Sequence, residues 1–336
     1  MVAHVKGKEP IPVTVLTGFL GAGKTTLLNQ LLTQPHGYKC AIIINEFGAV
    51  SIDHQLVIGA DEEILELNNG CLCCRVRGDL IQSLKQLFQK QKRFDYLLIE
   101  TTGLADPGPV AQTFGLPELA KNVRLDAIVT VVDARHIEKE LADAPEARAQ
   151  VAFADILLLN KIDLVSGEDL VRVEERLRRI NPLAQFQRTE KSRVEVARIL
   201  NVRARALSAA FQLPVRGSES ATGLRLGTGA AFLHRHEESV LSFSFSEERP
   251  LDLQRVEAWL ADLINNLGAN IYRSKGILYI KGQPKRIVFQ GVQMMFHAEP
   301  DRFWNPGEPR QSQLVFIGKN LDEQKIREGF YACLAE

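Results

Sequence analysis

Residues 18 to 25 read Gly-Phe-Leu-Gly-Ala-Gly-Lys-Thr, which fits the pattern G-x-x-x-x-G-K-[ST] without a mismatch. An apolar run at residues 11–17 precedes this stretch, and residues 24–33 continue as a predicted helix. A strand, a glycine-rich turn and a helix in this order bring main-chain N–H groups and a helix N-terminus to one phosphate group. The stretch therefore predicts a phosphate-binding loop, with binding residues Gly18, Gly21, Ala22, Gly23, Lys24, Thr25 and Thr26.

The catalytic residues predicted around this loop are Lys24, Thr25 and Glu100. Lys24 is expected to neutralise the β- and γ-phosphates, and the Thr25 hydroxyl is placed for Mg²⁺. Glu100 ends an apolar strand, so its carboxylate can reach the magnesium shell through a water molecule. The alternative for Glu100 is a surface carboxylate at a strand end. Gly103 lies three residues further on, where its N–H could contact the γ-phosphate.

A second motif, Asn160-Lys161-Ile162-Asp163, follows another hydrophobic strand and has the N-K-x-D form found in GTPases. Asp163 can accept hydrogen bonds from guanine N1–H and N2–H₂, a donor pair that adenine lacks. The stem of Lys161 can lie along the base, and Asn160 can tie its loop to the phosphate loop. The motif favours GTP over ATP as the ligand.

Short strands that are apolar throughout alternate with helices over the first two thirds of the chain, as in residues 40–45, 96–99, 127–132 and 156–159. This pattern predicts an α/β P-loop NTPase domain with a mostly parallel sheet covered by helices on both faces. One of the helices, residues 168–180, is expected to turn Val171, Leu177 and Ile180 inward. Ligands of such sheets bind at the carboxyl ends of the strands, where the motifs lie.

The composition changes twice after the first domain. Residues 214–238 are rich in Gly, Ser and Thr, and from residue 239 short alternating strands and two helices follow. We predict a P-loop domain over 1–213, a flexible linker over 214–238 and a smaller C-terminal α+β domain over 239–336. Two linker histidines, His234 and His236, could collect metal or could be ordinary solvated side chains.

Three thiols stand within four residues, Cys71-Leu72-Cys73-Cys74. Sulfur ligands this close together favour Zn²⁺, Co²⁺ or Cu⁺, and a closed tetrahedral site needs a fourth ligand. Glu46 is the best candidate for it, with Asp53 and His54 as lesser ones. The alternatives are three packing cysteines or a redox-sensing cluster.

The 336 residues carry 41 basic and 41 acidic side chains, so the formal charge of zero gives no electrostatic reason to expect nucleic acid as a partner. No apolar run approaches the roughly 18 residues needed to cross a bilayer, so no membrane partner is expected either. Residues 1–10 have no apolar core and do not resemble a secretory signal. Five cysteines, an odd number, do not form a disulfide framework, and a cytoplasmic location is expected.

Taken together, these motifs resemble the CobW-type GTPases, which are related to the nickel-handling UreG and HypB proteins. The resemblance runs through residues 18–25, 45–48, 69–74, 100–107 and 160–163, and it extends into the C-terminal domain at residues 275–278 and 314–318. It implies a GTP-dependent metallochaperone whose Cys-x-Cys-Cys binds a transition metal for delivery to a client metalloprotein or metal-inserting enzyme. The form Glu-Thr-Thr-Gly-Leu-Ala-Asp-Pro is most similar to the zinc-handling branch; a cobalt chaperone for cobalamin synthesis is the alternative.

The resemblance suggests a switch in which GTP and Mg²⁺ order the segments around Glu46, Cys71–Cys74 and Gly103. Leu104 stands where Ras-like proteins place the glutamine that orients water, so slow intrinsic hydrolysis is expected, accelerated by metal, client or a homodimer partner. Two other interpretations stay open at this point. One is a zinc buffer or sensor that GTP regulates, and the other is a redox-regulated GTPase.

Overall fold

The structure, a computed structural model, describes residues 9–44, 63–66, 74–89, 94–202 and 240–336. For residues 63–66 and for most of the first turns of the helix that begins at Cys74, only the main chain is described. The metal-ligand candidates Glu46, Asp53, His54, Cys71 and Cys73 lie outside the described residues, as do His234, His236 and the predicted linker 214–238.

In its described residues, the first part of the chain forms a parallel sheet of seven strands, in the order β3-β2-β4-β1-β5-β6-β7. Every pair of neighbours runs parallel. The strands are β1 Ile11–Thr17, β2 Cys40–Ile44, β3 Glu63–Glu66, β4 Tyr96–Glu100, β5 Val123–Asp133, β6 Ile156–Asn160 and β7 Gln185–Arg188. Their carboxyl ends share one edge, so the residues that follow β1, β4, β5 and β6 meet there.

Within the described residues, six α-helices accompany this sheet: α1 Lys24–Thr33, α2 Cys74–Gln89, α3 Gly108–Thr113, α4 Ile137–Asp143, α5 Pro145–Phe153 and α6 Gly167–Ile180. Successive residues of one strand enter different cores: Ile43 packs with α2, α3 and α5, whereas Ile42 and Ile44 pack with α1. Both faces of the sheet are therefore covered, which confirms the predicted α/β fold.

The C-terminal part is a five-stranded antiparallel sheet with two helices, as the sequence predicted. Its strand order is β11-β10-β9-β12-β8. The elements are β8 Val240–Glu247, α7 Leu253–Leu267, β9 Ile271–Leu278, β10 Lys285–Val292, β11 Met295–Phe303, β12 Ser312–Lys319 and α8 Glu323–Tyr331. Aromatic rings from the sheet and from both helices fill its core, including Phe245, Trp259, Phe316 and Phe330.

The two sheets share part of one core, because Tyr272, Val315 and Ile317 of the C-terminal sheet join the cluster that contains α3 and α5. The ring of Tyr272 stacks on that of Phe153, with centroids 4.4 Å apart. The C-terminal sheet thus packs against the same face of the first domain as these two helices.

One expectation about side-chain direction was wrong. Val171 of α6 is 51% exposed, whereas Leu170, Val173 and Leu177 are buried. The buried positions are spaced i, i+3 and i+7 and therefore lie on one helix face, from which Val171 is rotated away. Across the described parts of the chain, no helix combines the length and the apolar composition needed to span a bilayer.

Candidate functional site

The phosphate loop joins β1 to α1 in a left-handed backbone path that glycine favours. The φ angles are +138° at Gly18, +72° at Gly21 and +110° at Gly23, and a methyl group on Gly18 would overlap the main chain of Val131. Gly23 caps α1 without any side-chain hydrogen bond to the first turn. The amino end of α1 therefore presents main-chain donors that an anion can accept. Lys24 directs its Nζ to the Phe19 carbonyl oxygen, 3.1 Å away.

Asn160, at the end of β6, joins the phosphate loop to the loop that follows β7. Its Nδ2 donates to the Ala22 carbonyl over 2.9 Å, the link that the sequence led us to expect. Its Oδ1 accepts hydrogen bonds from the Ser192 amide over 2.8 Å and from the Thr189 hydroxyl over 3.3 Å. Because Asn160 is 2% exposed, its amide is committed to holding these loops together.

Thr25 and Glu100 meet across the gap between α1 and β4. The Thr25 hydroxyl donates to Glu100 Oε1 over 2.9 Å, and Glu100 is only 3% exposed. A hydroxyl and a carboxylate at this spacing are the oxygen donors that Mg²⁺ prefers, so the residues present fit that ion. Next to them Thr101 donates to Thr17 Oγ1 over 2.9 Å, which fixes the end of β4 against β1.

A charged group stands at the carboxyl end of β5. Asp133 accepts hydrogen bonds from Lys161 Nζ at 2.7 Å and from His136 Nδ1 at 2.9 Å. Burial alone would raise the pKa of Asp133, but these hydrogen bonds outweigh it and hold the pKa below its usual value. Glu140 on α4 shows the opposite shift, because burial and then the charge of Asp133 raise its pKa to about 7.

The segment after Glu100 is held from behind by α5. Gln150 Nε2 donates to the carbonyl oxygens of Gly103 and Ala105, each over 3.0 Å, and Gln150 is 1% exposed. A methyl group on Gly103 would come within 2.7 Å of the Leu20 side chain, so this segment lies directly against the phosphate loop. Leu104, between the two bonded carbonyls, is 52% exposed.

The structure thus joins Thr25 to Glu100 and the phosphate loop to Asn160. Lys161 adopts a left-handed conformation with φ +61°, and Asp163 is exposed in the turn that follows. Of the predicted thiol ligands, only Cys74 lies within the described residues, as the first residue of α2, and only its main chain is described. Within the described ranges, no three His, Cys, Asp or Glu side chains cluster in a way that could hold a metal ion.

Sequence reasoning missed several residues of this site. Asp133 could have been found, because an acid ends the apolar run of β5 just as Glu100 ends that of β4. Gln150 and Ser192 gave no such signal. Ser192 has φ +57°, and its hydroxyl donates to the Gly23 carbonyl over 3.0 Å, a role that depends on the position of β7 rather than on a motif.

Comparison with known proteins gives two family matches along the chain. Residues 12–188 match the family described as "CobW/HypB/UreG, nucleotide-binding domain". Residues 240–334 match the "Cobalamin synthesis protein cobW C-terminal domain". The two matches fall on the parallel sheet and on the antiparallel sheet respectively.

Individual relatives match over nearly the whole chain. The protein named zinc chaperone YjiA from Escherichia coli is 38% identical over 327 residues, which is 96% of this chain and 98% of the relative. Zinc-regulated GTPase metalloprotein activator 1 from Dictyostelium discoideum is 32% identical over 389 residues, covering 96% of this chain and 79% of the relative.

Solved structures of the Zn(II)-bound YjiA GTPase also superimpose on this chain. The TM-score is 0.71 at 31% identity, with 98% of this chain and 100% of the other covered. A triple mutant of that GTPase, in which one glutamate and two cysteines are replaced by alanine, is also Zn(II)-bound and superimposes equally well.

Proposed function

This chain belongs to the CobW/HypB/UreG family, and from that premise we propose that it is a GTP-hydrolysing metallochaperone for zinc. In this proposal GTP binds at the carboxyl edge of the parallel sheet, Zn²⁺ is the cargo, and a client metalloprotein or metal-inserting enzyme receives the ion. The observation that carries the proposal is the convergence of the phosphate loop, Glu100 and the Asn160–Asp163 motif at this edge. The names of the relatives, which mention zinc and GTPase, support the choice of cargo and nucleotide.

In this proposal the nucleotide site works through the groups at this edge of the sheet. Lys24 and the amino end of α1 balance the charge of the phosphates. Thr25 and Glu100 would hold Mg²⁺, which supplies charge neutralisation at the β- and γ-phosphates when it is bound. Asp163, which is exposed, can accept from the guanine edge, while Asn160 fixes the loop that carries it.

The proposed zinc ligands are Cys71, Cys73, Cys74 and Glu46. The described ends of the segments that carry them support this set. Ile44 is paired in register with both Glu66 and Glu100, and Cys74 begins α2. The chain therefore enters both ligand-bearing segments from the same sheet edge that carries the magnesium carboxylate. This arrangement makes a link between γ-phosphate and thiolate geometry physically reasonable.

The cargo is proposed as Zn²⁺, with Co²⁺ as the alternative, because sulfur-rich sites accept both ions. The cytosol is the proposed location, because thiolates stay reduced there. Slow hydrolysis by the isolated protein follows from Leu104, and the accelerating factor would be metal, client or a second copy in a homodimer. A zinc buffer or sensor under GTP control would share the same site and differ only in lacking transfer.

A competition titration tests the proposal. Zinc affinity would be measured against a chromophoric chelator with a non-hydrolysable GTP analogue and, separately, with GDP. We expect at least about fivefold tighter binding with the GTP analogue, and the same factor in nucleotide affinity when zinc is added, since coupling is reciprocal. Equal zinc affinity with the two nucleotides would refute the switch. Cys73→Ser should weaken zinc binding and leave GTP binding intact.

Transfer to an apo-client is the second test. Zinc appearing in a client only when GTP is hydrolysed supports a chaperone. If zinc release depends on which nucleotide is bound and does not require hydrolysis, the buffer or sensor alternative is supported.

A further inference from the structure

The turn between β10 and β11 contains a residue in an unfavourable conformation. Val292 pairs with Met295, so the turn consists of Gln293 and Met294 alone, and Gln293 has φ +49°. Glycine is preferred at the first position of such a turn when its backbone is left-handed. Gln293 is nevertheless present there and is only 5% exposed.

The side chain of Gln293 touches the first domain at the start of α3. A methyl group on Gly108 would overlap Gln293 Nε2, so the two residues are in direct contact. At the other end of α3, a methyl group on Gly115 would lie 2.6 Å from Cγ of Met295. The β10–β11 hairpin therefore contacts the first domain at both ends of α3.

The helix that the hairpin grips is the direct continuation of the segment 100–107, which contributes Glu100 and Gly103 to the nucleotide site. Asp106 Oδ1 accepts a hydrogen bond from the Gly108 amide over 2.8 Å, which connects the segment to α3. Burial raises the pKa of Asp106, and the charge of Lys319, also in the C-terminal sheet, opposes that rise. Two residues of the C-terminal domain, Gln293 and Lys319, thus act on one short stretch of the first domain.

A rigid backing completes the arrangement. Gln150 holds the Gly103 and Ala105 carbonyls from α5, and Phe153 at the end of that helix stacks on Tyr272. The main-chain N–H of Gln293 donates a hydrogen bond to the Tyr272 carbonyl oxygen over 3.3 Å. The segment 100–108 therefore lies between α5 and the β10–β11 hairpin. The stacking of Phe153 on Tyr272 joins α5 to the C-terminal sheet.

We propose that the C-terminal domain positions the segment 100–108, which we call the catalytic segment, for GTP hydrolysis. Gln293 is the positioning residue. This inference rests on the proposed GTPase function. In the reaction water adds to the γ-phosphorus while the bond to the β,γ-bridging oxygen breaks, giving GDP and phosphate. Gln293 touches none of these atoms; it keeps the main chain that carries Glu100 and Gly103 in the reactive position. Loss of the contact lowers kcat and leaves nucleotide affinity almost unchanged.

The test uses the full-length protein in four forms: wild type, Gly108→Ala, Gln293→Gly and the double variant. Phosphate release gives kcat and KM, and fluorescent GDP titration gives nucleotide affinity. We expect Gly108→Ala to lower kcat about tenfold, because the added methyl group displaces the catalytic segment from the side-chain amide of Gln293. Gln293→Gly removes that amide but leaves Asp106 Oδ1 and the Phe153 ring, each 3.0 Å from the added methyl group, so the double variant should recover part of the loss.

The control is Asn320→Gly, which relieves another left-handed residue of the same domain, with φ +51°, at an exposed site. It should keep the wild-type kcat, whereas Gln293→Gly should lower kcat about threefold. A double variant no faster than Gly108→Ala, or a wild-type kcat for Gly108→Ala, overturns the proposal. If Gly108→Ala does not fold, equal kcat for Gln293→Gly and Asn320→Gly overturns it instead. Absence of GTP turnover in the wild-type protein would reject the GTPase function itself.

Discussion

Asn160 connects the phosphate loop with the loop at residues 189–192 through a single buried side-chain amide. It donates to Ala22 and accepts from Ser192 and Thr189. These partners come from two separate segments, the phosphate loop and the loop that follows β7, so their relative positions depend on one side chain. The N-K-x-D pattern predicts that Asn160 ties its loop to the phosphate loop. Only the structure reveals that Ser192 is also among its partners.

Replacing Asn160 by alanine should therefore affect both stability and ligand binding. The Ala22 carbonyl and the Ser192 amide would lose their partner in a buried setting, which costs about 2–3 kcal/mol. We expect GTP affinity to fall about tenfold or more, because the phosphate loop loses its support. Fluorescent nucleotide titration and thermal unfolding measure the two effects. Asn266→Ala, which removes an exposed i,i+4 hydrogen bond to Asp262, is the matched control and should change neither.

Glu140 gives a prediction about pH. Burial, and then the charge of Asp133, raises the pKa of Glu140 to about 7 from an ordinary value of 4.5. The folded protein therefore holds this proton more tightly than the unfolded chain, and the advantage is present below pH 4.5 and is lost as the pH rises through 7. At pH 8 the ionised carboxylate is a cost to the folded state.

Glu140→Gln should accordingly raise the free energy of unfolding at pH 8, by about 1–2 kcal/mol after allowance for solvent screening. The gain should shrink as the pH falls toward 5. Urea unfolding at several pH values without nucleotide measures it. Glu175→Gln, on the exposed face of α6, serves as the control. A gain at pH 8 that persists unchanged at pH 5 would argue against the assigned cause.

At the scale of elements, the long apolar strands and amphipathic helices could be predicted, but the short helices could not. The predicted runs at residues 96–99 and 156–159 became β4 and β6 with a shift of one residue at most. The helices α3 and α4 have six and seven residues, too few to display a 3.6-residue period. The sequence of β7, Gln-Phe-Gln-Arg, is polar, because a strand at the sheet edge pairs through its main chain without burying its side chains.

Helix α5 matters most among the elements that were missed, because Gln150 holds the segment that follows Glu100. Its sequence, Pro-Glu-Ala-Arg-Ala-Gln-Val-Ala-Phe, buries alanines on a face too small to give a clear apolar stripe. The role of Gln150 depends on two carbonyl groups about 45 residues earlier in the chain. No local pattern could indicate such a contact.

Gln150→Met tests the contribution of α5 with a side chain of similar size that lacks a donor. The Gly103 and Ala105 carbonyls would lose their hydrogen bonds, at a cost of about 1–3 kcal/mol. We expect faster amide exchange at residues 101–106 and a lower kcat, with GDP affinity close to that of the wild type. Hydrogen exchange and steady-state turnover measure these effects. Unchanged exchange in this segment would show that α5 does not restrain it.

On the scale of the whole molecule, the two domains are joined by a packed core and by an ion pair. Arg273 of β9 contacts Asp155, which precedes β6, and their side chains are 8% and 18% exposed. Asp155 also accepts a hydrogen bond from the Ile128 amide over 2.9 Å. A cavity of about 290 Å³ lies beside the pair, so apolar packing is not continuous there. The ion pair is therefore expected to contribute to domain association.

Arg273→Met should weaken that association, because it leaves the Asp155 carboxylate partly buried without its cation, at a cost of about 2–4 kcal/mol. Both tryptophans, Trp259 and Trp304, belong to the C-terminal domain, so their fluorescence follows that domain, and nucleotide binding follows the other. In the wild-type protein we expect both signals to be lost at one urea concentration. In Arg273→Met the two transitions should separate.

The double variant Arg273→Met, Asp155→Asn should bring the two unfolding transitions partly together again, because it removes the uncompensated charge. Coincident transitions at the wild-type midpoint in Arg273→Met would mean that the shared core alone holds the two domains as one cooperative unit.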